Sequence, residues 1–213
     1  MIKLEKEIRE IKDEIINQAS ICLEMLHKSM KALKDFDGEL CKKIIESDKK
    51  VDDLEIEIEN KIIRVIALYQ PEAEMLRMAI MAVKINKDLE RVGDHAVNIA
   101  SNVLKSINLG KIELTKEIDE IFNTLTVMTN KTIRSFVDYD SNTAREVISM
   151  DKEIDQLRDI GVRKAIESSS NIEETMLKLL VFKDLERIGD LFSNIAEDIV
   201  YIVEGKIIEH KYK

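Results

Sequence analysis

The chain has 213 residues, 45% of them hydrophobic and 35% charged, enough for one or two units with a real core. Aromatics at 4%, a single proline and six glycines argue against a strand-rich fold, which needs aromatic and β-branched runs broken by frequent turns. A net charge of −9 with no basic stripe excludes phosphate-backbone recognition, hence no nucleic acid, and suits cations or basic partner surfaces.

Apolar residues recur every three or four positions, which predicts an all-α chain of six helices near 3–35, 38–68, 72–108, 113–138, 141–168 and 173–205. The first helix opens with MIKLEKEIREIKDE, charged throughout and without an apolar signal core. No apolar run approaches the roughly 20 residues that span a bilayer, so a cytoplasmic location is expected. Cys22 and Cys41 are isolated, without CxxC spacing, and read as reduced packing residues. Asp37 is placed to cap the second helix. Pro71 suits the first turn of the third, with Glu72 and Glu74 at the positive end of its dipole. Gly110 fits a stop between halves. Asp140 caps the fifth helix, and Ser170 or Asn171, ahead of Glu173 and Glu174, caps the sixth.

The two halves repeat. The third helix holds Lys87-Asp88-Leu89-Glu90-Arg91-Val92-Gly93-Asp94, then Asn98-Ile99-Ala100, and the sixth holds Lys183-Asp184-Leu185-Glu186-Arg187-Ile188-Gly189-Asp190, then Asn194-Ile195-Ala196, an offset of 96. Asp48 and Asp52 on the second helix recur as Asp151 and Asp155 on the fifth, an offset of 103 shared by Asp37 and Asp140. A duplicated three-helix unit follows, with repeats at 1–108 and 109–213. Core stripes at four-three spacing run through Ile85, Leu89, Val92, Ala96, Ile99 and Val103, and through Val181, Leu185, Ile188, Phe192, Ile195 and Ile199. The second helix offers Ile44, Val51, Leu54, Ile58 and Val65. Met75, Met78 and Met81 share a face and read as core. Gly93 and Gly189, inside helices at a cost of about 1 kcal/mol each, mark close approach of another helix.

Residues four apart share a helical face, with Cβ atoms roughly 5–6 Å apart. Glu90 with Asp94, Glu186 with Asp190, Asp48 with Asp52 and Asp151 with Asp155 therefore form like-charged pairs. Each stands one step past a core position, so paired helices would bring two rows into one outer groove in each half. Four carboxylates make a hard, oxygen-rich site suited to Mg, Mn, Fe or Ca, with Asn98 and Asn194 extending the rows. The competing reading is a solvated charged face: a chain this acidic yields about eight such pairs by chance, and Lys87, Arg91, Lys183 and Arg187 are near enough to screen them. His27, His95 and His210 do not recur between halves, Leu191 matching His95. No pair of Glu-x-x-His motifs, phosphate loop or nucleophile elbow is present.

With these residues in place, the chain resembles the PhoU family of phosphate-transport and phosphate-signalling regulators over essentially its whole length. Gln70-Pro71 and Leu76-Arg77 leading to LERVGDHAVNIA, and LERIGDLFSNIAEDIVYIVEGKIIEH, carry the resemblance. It implies two tandem three-helix bundles related by pseudo-two-fold symmetry. It implies metal ions, often iron or zinc clusters, held by Asp48, Asp52, Glu90, Asp94, Asp151, Asp155, Glu186 and Asp190; Mg or Mn also suit those donors. It implies a negative regulator of phosphate uptake and of the phosphate-starvation response. Such an adaptor links the phosphate ABC transporter ATPase to a sensor histidine kinase, as a homodimer, and meets the membrane only through partners. No catalytic residue is expected. The alternatives are a metal-free helical scaffold and a carboxylate-metal phosphohydrolase. Leu191 stands where a histidine often follows the second Gly-Asp, so the resemblance gives the second half no imidazole ligand.

Overall fold

The computed structural model describes residues 2–168 and 171–207, and the apolar spacing emerges there as six long helices: α1 Ile2–Asp35, α2 Gly38–Tyr69, α3 Ala73–Lys105, α4 Lys116–Asp138, α5 Ser141–Ser168 and α6 Ile172–Glu204. Among the described residues there is no strand, and no helix is long and apolar enough to cross a membrane. Ser170 and His210 lie outside the described residues.

Tight corners join α1 to α2 and α4 to α5, and the two repeat each other. Phe36 (φ 52) and Tyr139 (φ 53) take the left-handed conformation, which costs a side chain about 1–2 kcal/mol, and each hands over to an aspartate cap. Asp37 Oδ1 accepts from the Leu40 N–H at 3.0 Å, and Asp140 accepts from the Asn142 N–H at 2.9 Å and the Thr143 hydroxyl at 2.6 Å. These bonds satisfy helix-terminal groups that would otherwise be orphaned. Asn171 caps α6 through the Glu173 N–H at 2.9 Å.

Three boundaries differ from the sequence expectation. Pro71 is buried ahead of α3 rather than in its first turn, because left-handed Gln70 closes α2 and Glu72 is extended, so the helix begins at Ala73. At its other end α3 stops at Lys105: the Ser106 N–H is shared between the Asn102 and Val103 carbonyls, and the chain tightens into a 3₁₀ turn over Ile107–Leu109. Gly110, at φ 69, ends that turn. α4 starts at Lys116 rather than 113, since Ile112 and Leu114 pack against the core from the connecting segment.

α1, α2 and α3 pack on one another, as do α4, α5 and α6, and the two bundles meet along α3 and α6. Arg77 near Ile202, Lys84 near Asp198 and His95 near Asp184 show those two helices running antiparallel. That relation turns the sequence repeat into a pseudo-two-fold. The predicted stripes of α3 and α6 are buried throughout, as are Cys22, Cys41, Met78 and Met81, both cysteines being free thiols. Each large apolar side chain so buried contributes about 1.5–3 kcal/mol.

Leu54 is the exception: it is only half-buried, as is Met75. The inner seam of α2 steps from Val51 through residue 55 to Ile58, Ile62 and Val65, so the half-buried Glu55 takes the position given to Leu54. A polar layer ties the backbone at this level. Asn86 Nδ2 donates to the Glu55 carbonyl at 2.9 Å, and Gln18 Nε2 donates to the Asn86 carbonyl at 3.2 Å, tying three helices together. At the matching positions of the second bundle stand Ile121 and Phe182, both fully buried, with Gly161 in place of Ile58. A Cβ on Gly161 would lie 2.1 Å from Phe182 Cζ, so glycine is needed there to admit the ring.

Candidate metal centre

α2 and α3 approach where Gly93 faces Val51, and α5 and α6 approach where Gly189 faces Ile154. An added Cβ would meet Val51 Cγ1 at 3.4 Å in the first case and Ile154 Cδ1 at 2.9 Å in the second. The expected close approach is present in both halves and tighter in the second. It sets the acidic residues of paired helices along a common groove.

In the first groove the four predicted carboxylates feel one another across α2 and α3. Burial, then Asp52, Asp94 and Glu90, pushes Asp48 up to about 6. Asp94 is also raised, by burial first and then Asp52. Glu90 is raised by burial and by Asp94, with Lys87 opposing. Each shift marks carboxylates whose charged forms lack water or face like charge. Glu55 joins them, a residue the sequence reading missed: Lys87 Nζ lies 3.2 Å from Glu55 Oε1 and 3.1 Å from Glu90 Oε2. The four-three spacing from Val51 could have found it, because that spacing puts residue 55 on the seam.

The second groove has the same frame and different charges. Burial raises Glu186, and Asp190 and Asp155 raise it further against Arg187 and Arg158. Arg158 Nη2 lies 3.6 Å from Asp155 and 3.9 Å from Glu186. Arg187 reaches Asp190 at 2.8 Å and Glu186 at 3.7 Å. Asp151 Oδ1 would lie 3.6 Å from a Cβ on Gly189, which puts Asp151 beside the α5–α6 contact.

Other candidate ligands turn away. The buried Cys22 thiol donates to the Leu89 carbonyl at 3.1 Å, and burial pushes it up to about 12, so it is a protonated floor beneath the first groove. His95 reaches across to Asp184 instead. Asn194 lines a shallow hollow between α3 and α6 with Lys84 and Asp88, and Asn98 is exposed. The donor set that remains is all carboxylate oxygen, which matches hard divalent cations. Among the described residues no three His, Cys, Asp or Glu side chains are already gathered tightly enough to ligate one ion. Side-chain rotation would have to complete any coordination sphere.

The chain matches the PhoU domain twice, over residues 15–103 and 118–199. It is 35% identical to the phosphate-specific transport system accessory protein PhoU homolog of Aquifex aeolicus, over 99% of this chain and 97% of that one. It is 33% identical to the corresponding homolog of Clostridium acetobutylicum, over 96% of each. The crystal structure of the phosphate transport system regulatory protein PhoU from Streptococcus pneumoniae superposes with a TM-score of 0.91 at 25% identity, over 97% of this chain and 99% of that one. Two matched domains, whole-length relatives and a shared fold make this chain a member of the PhoU family.

Proposed function

We propose that this protein is an accessory regulator of a phosphate-specific transport system, acting as a negative regulator of phosphate uptake and of the phosphate-starvation response. The observation that carries the reading is its whole-length similarity to proteins named as accessory to that transport system. In this reading it is a cytoplasmic, non-enzymatic homodimer of two repeats, 1–108 and 109–213, that docks on the transporter ATPase and a sensor histidine kinase. Its acidic surface suits basic docking faces. Deleting its gene should derepress phosphate-scavenging genes in phosphate-rich medium; unchanged expression would count against the assignment.

The second part of the proposal is a metal site in the first groove, formed by Asp48, Asp52, Glu90 and Asp94 with Glu55 at its inner edge. A bound divalent ion would supply the positive charge that these crowded carboxylates lack. Asp48 and Asp52 would hold it from α2, and Glu90 and Asp94 from α3. Mg and Mn match the donors best; iron is also compatible, and zinc less so because, among the described residues, no histidine or thiolate faces the groove. Phosphoester turnover by metal-loaded protein, lost on Asp94→Asn, would replace the regulator by a hydrolase.

A further inference from the structure

We propose that the two acidic grooves are chemically unequal, and that the second takes no metal because the Arg158 guanidinium already serves as its cation. The inference rests on the metal reading of the first groove and concerns residues that the repeat places at equivalent positions.

The offset of 103 between α2 and α5 sets Arg158 where the first repeat has Glu55. Both are inner-seam positions, one turn beyond the Val51 or Ile154 that meets the helix glycine. The exchange reverses the charge at the centre of the groove. The first groove gathers Asp48, Asp52, Glu55, Glu90 and Asp94 against the Lys87 ammonium, with Arg91 and Lys49 acting on Asp94 and Asp52 from further off. The second gathers Asp151, Asp155, Glu186 and Asp190 against Arg158 and Arg187.

A second difference follows on the facing helix. Arg91 and Arg187 are equivalent at the offset of 96. Arg91 Nη1 turns to Asp88 at 3.4 Å, away from the groove. Arg187 turns inward, onto Asp190 and Glu186. Glu186 thus faces a guanidinium on each side, while its counterpart Glu90 faces one lysine on a flexible stem that is 55% exposed and free to swing outward. A guanidinium cannot shed its proton to admit a cation; Arg187 hydrogen-bonds Asp190, and Arg158 stands as an ion-pair partner of Asp159 at 3.3 Å, Asp155 at 3.6 Å and Glu186 at 3.9 Å.

The core beneath the two grooves differs as well. In the first bundle Asn86 holds the Glu55 main chain by its carbonyl. In the second, the Phe182 ring occupies that layer, packed into the space left by Gly161. The polar layer beneath the first groove is replaced by an apolar one beneath the second.

The test is equilibrium dialysis of chelator-stripped protein against Mn²⁺, with bound metal measured by atomic absorption and folding checked by helical circular dichroism. Wild-type protein should bind Mn²⁺, and Asp48→Asn with Asp52→Asn should abolish it. Glu55→Arg should do the same by giving the first groove the second's charge. Arg158→Glu should open the second groove and raise bound metal about twofold at saturation. Arg158→Gln, which removes the cation without adding a ligand, should give a smaller rise and serves if the glutamate variant fails to fold. Metal retained by the Asp48→Asn, Asp52→Asn protein would overturn the inference and leave metal binding itself standing. No Mn²⁺ on wild type and none on either Arg158 variant would overturn both.

Discussion

His95 Nδ1 on α3 lies 3.0 Å from Asp184 Oδ1 on α6, so a histidine beside the acidic groove spends its polar contact on the interface between the bundles. Asp184 is buried, and its equivalent in the first repeat, Asp88, lies across the pseudo-two-fold from Leu191 rather than from a second histidine. The interface therefore has one imidazole–carboxylate contact where symmetry would give two. Replacing His95 by leucine, the residue of the other repeat, removes the imidazole and leaves the Asp184 carboxylate buried. The expected cost is about 1–3 kcal/mol, read as a lower urea midpoint. Adding Asp184→Asn should recover part of the loss, and additive effects would show the contact to be idle.

Asp198 lies in the same interface, raised to about 6 by burial first, with Lys84 opposing and Asp88 adding to the rise. Lys84 Nζ is 3.4 Å away and mostly exposed, so it compensates weakly. The unfolded chain releases this proton near the ordinary carboxylate value of about 4. Between there and about 6 the folded chain holds more protons, so stability falls as pH rises through that window. Asp198→Asn should flatten this slope and stabilise the metal-free protein at neutral pH by about 1 kcal/mol, discounted for partial exposure. In a chain this size that is a rise of about 2–4 °C in melting temperature. A variant no more stable than wild type at pH 7 would show that Asp198 finds compensation within the fold.

The glycines separate what the repeat makes legible from what packing decides. Gly93 and Gly189 are equivalent in sequence and both face the neighbouring helix, yet the first leaves ordinary contact distance for a methyl group and the second does not. Gly161, with no glycine at its counterpart Ile58, is the most restrictive. Gly161→Ala should therefore destabilise by at least 1–3 kcal/mol, roughly the cost of overpacking. Gly93→Ala should be neutral or stabilising by up to about 1 kcal/mol, since helix propensity improves without a clash. Thermal melting of the two variants tests the contrast; equal losses would contradict it.

Much of this molecule is readable from residue spacing because helices declare themselves by period. The stripes of α3 and α6, the Asp37 and Asp140 caps and the four carboxylates of the first groove all follow from three- and four-residue steps. Glu55 and Arg158 escaped because both are charged: the apolar neighbour Leu54 fits the stripe of the first half by composition, while the seam carries a part-buried charged residue in each half. The start of α4 escaped because Ile112 and Leu114 are apolar without being helical. The ion pairs Lys61–Glu14, at 2.6 Å, and Lys164–Glu117 recur at the offset of 103. They show the duplication in side-chain contacts that no single helix's pattern would flag.

The crowded first groove makes one further prediction, in which the sign of a substitution depends on metal. Asp48 stands one turn from Asp52 and opposite Asp94 and Glu90, all of like charge. Without a cation each helical like-charge pair costs a few tenths of a kcal/mol, and the half-buried setting adds to that. Asp48→Asn removes one partner while preserving shape and polarity, so the chelator-treated variant should melt slightly higher than wild type. With Mn²⁺ in excess the order should reverse. A ligand that binds only the folded state stabilises it by about 2.7 kcal/mol at a hundred times its dissociation constant, and the variant has lost one of the oxygens that would hold it. Parallel melting curves with chelator and with Mn²⁺ read both arms at once. If Asp48→Asn is the less stable protein in chelator, the carboxylate is held by partners within the fold, and the case for a cation in that groove fails with it.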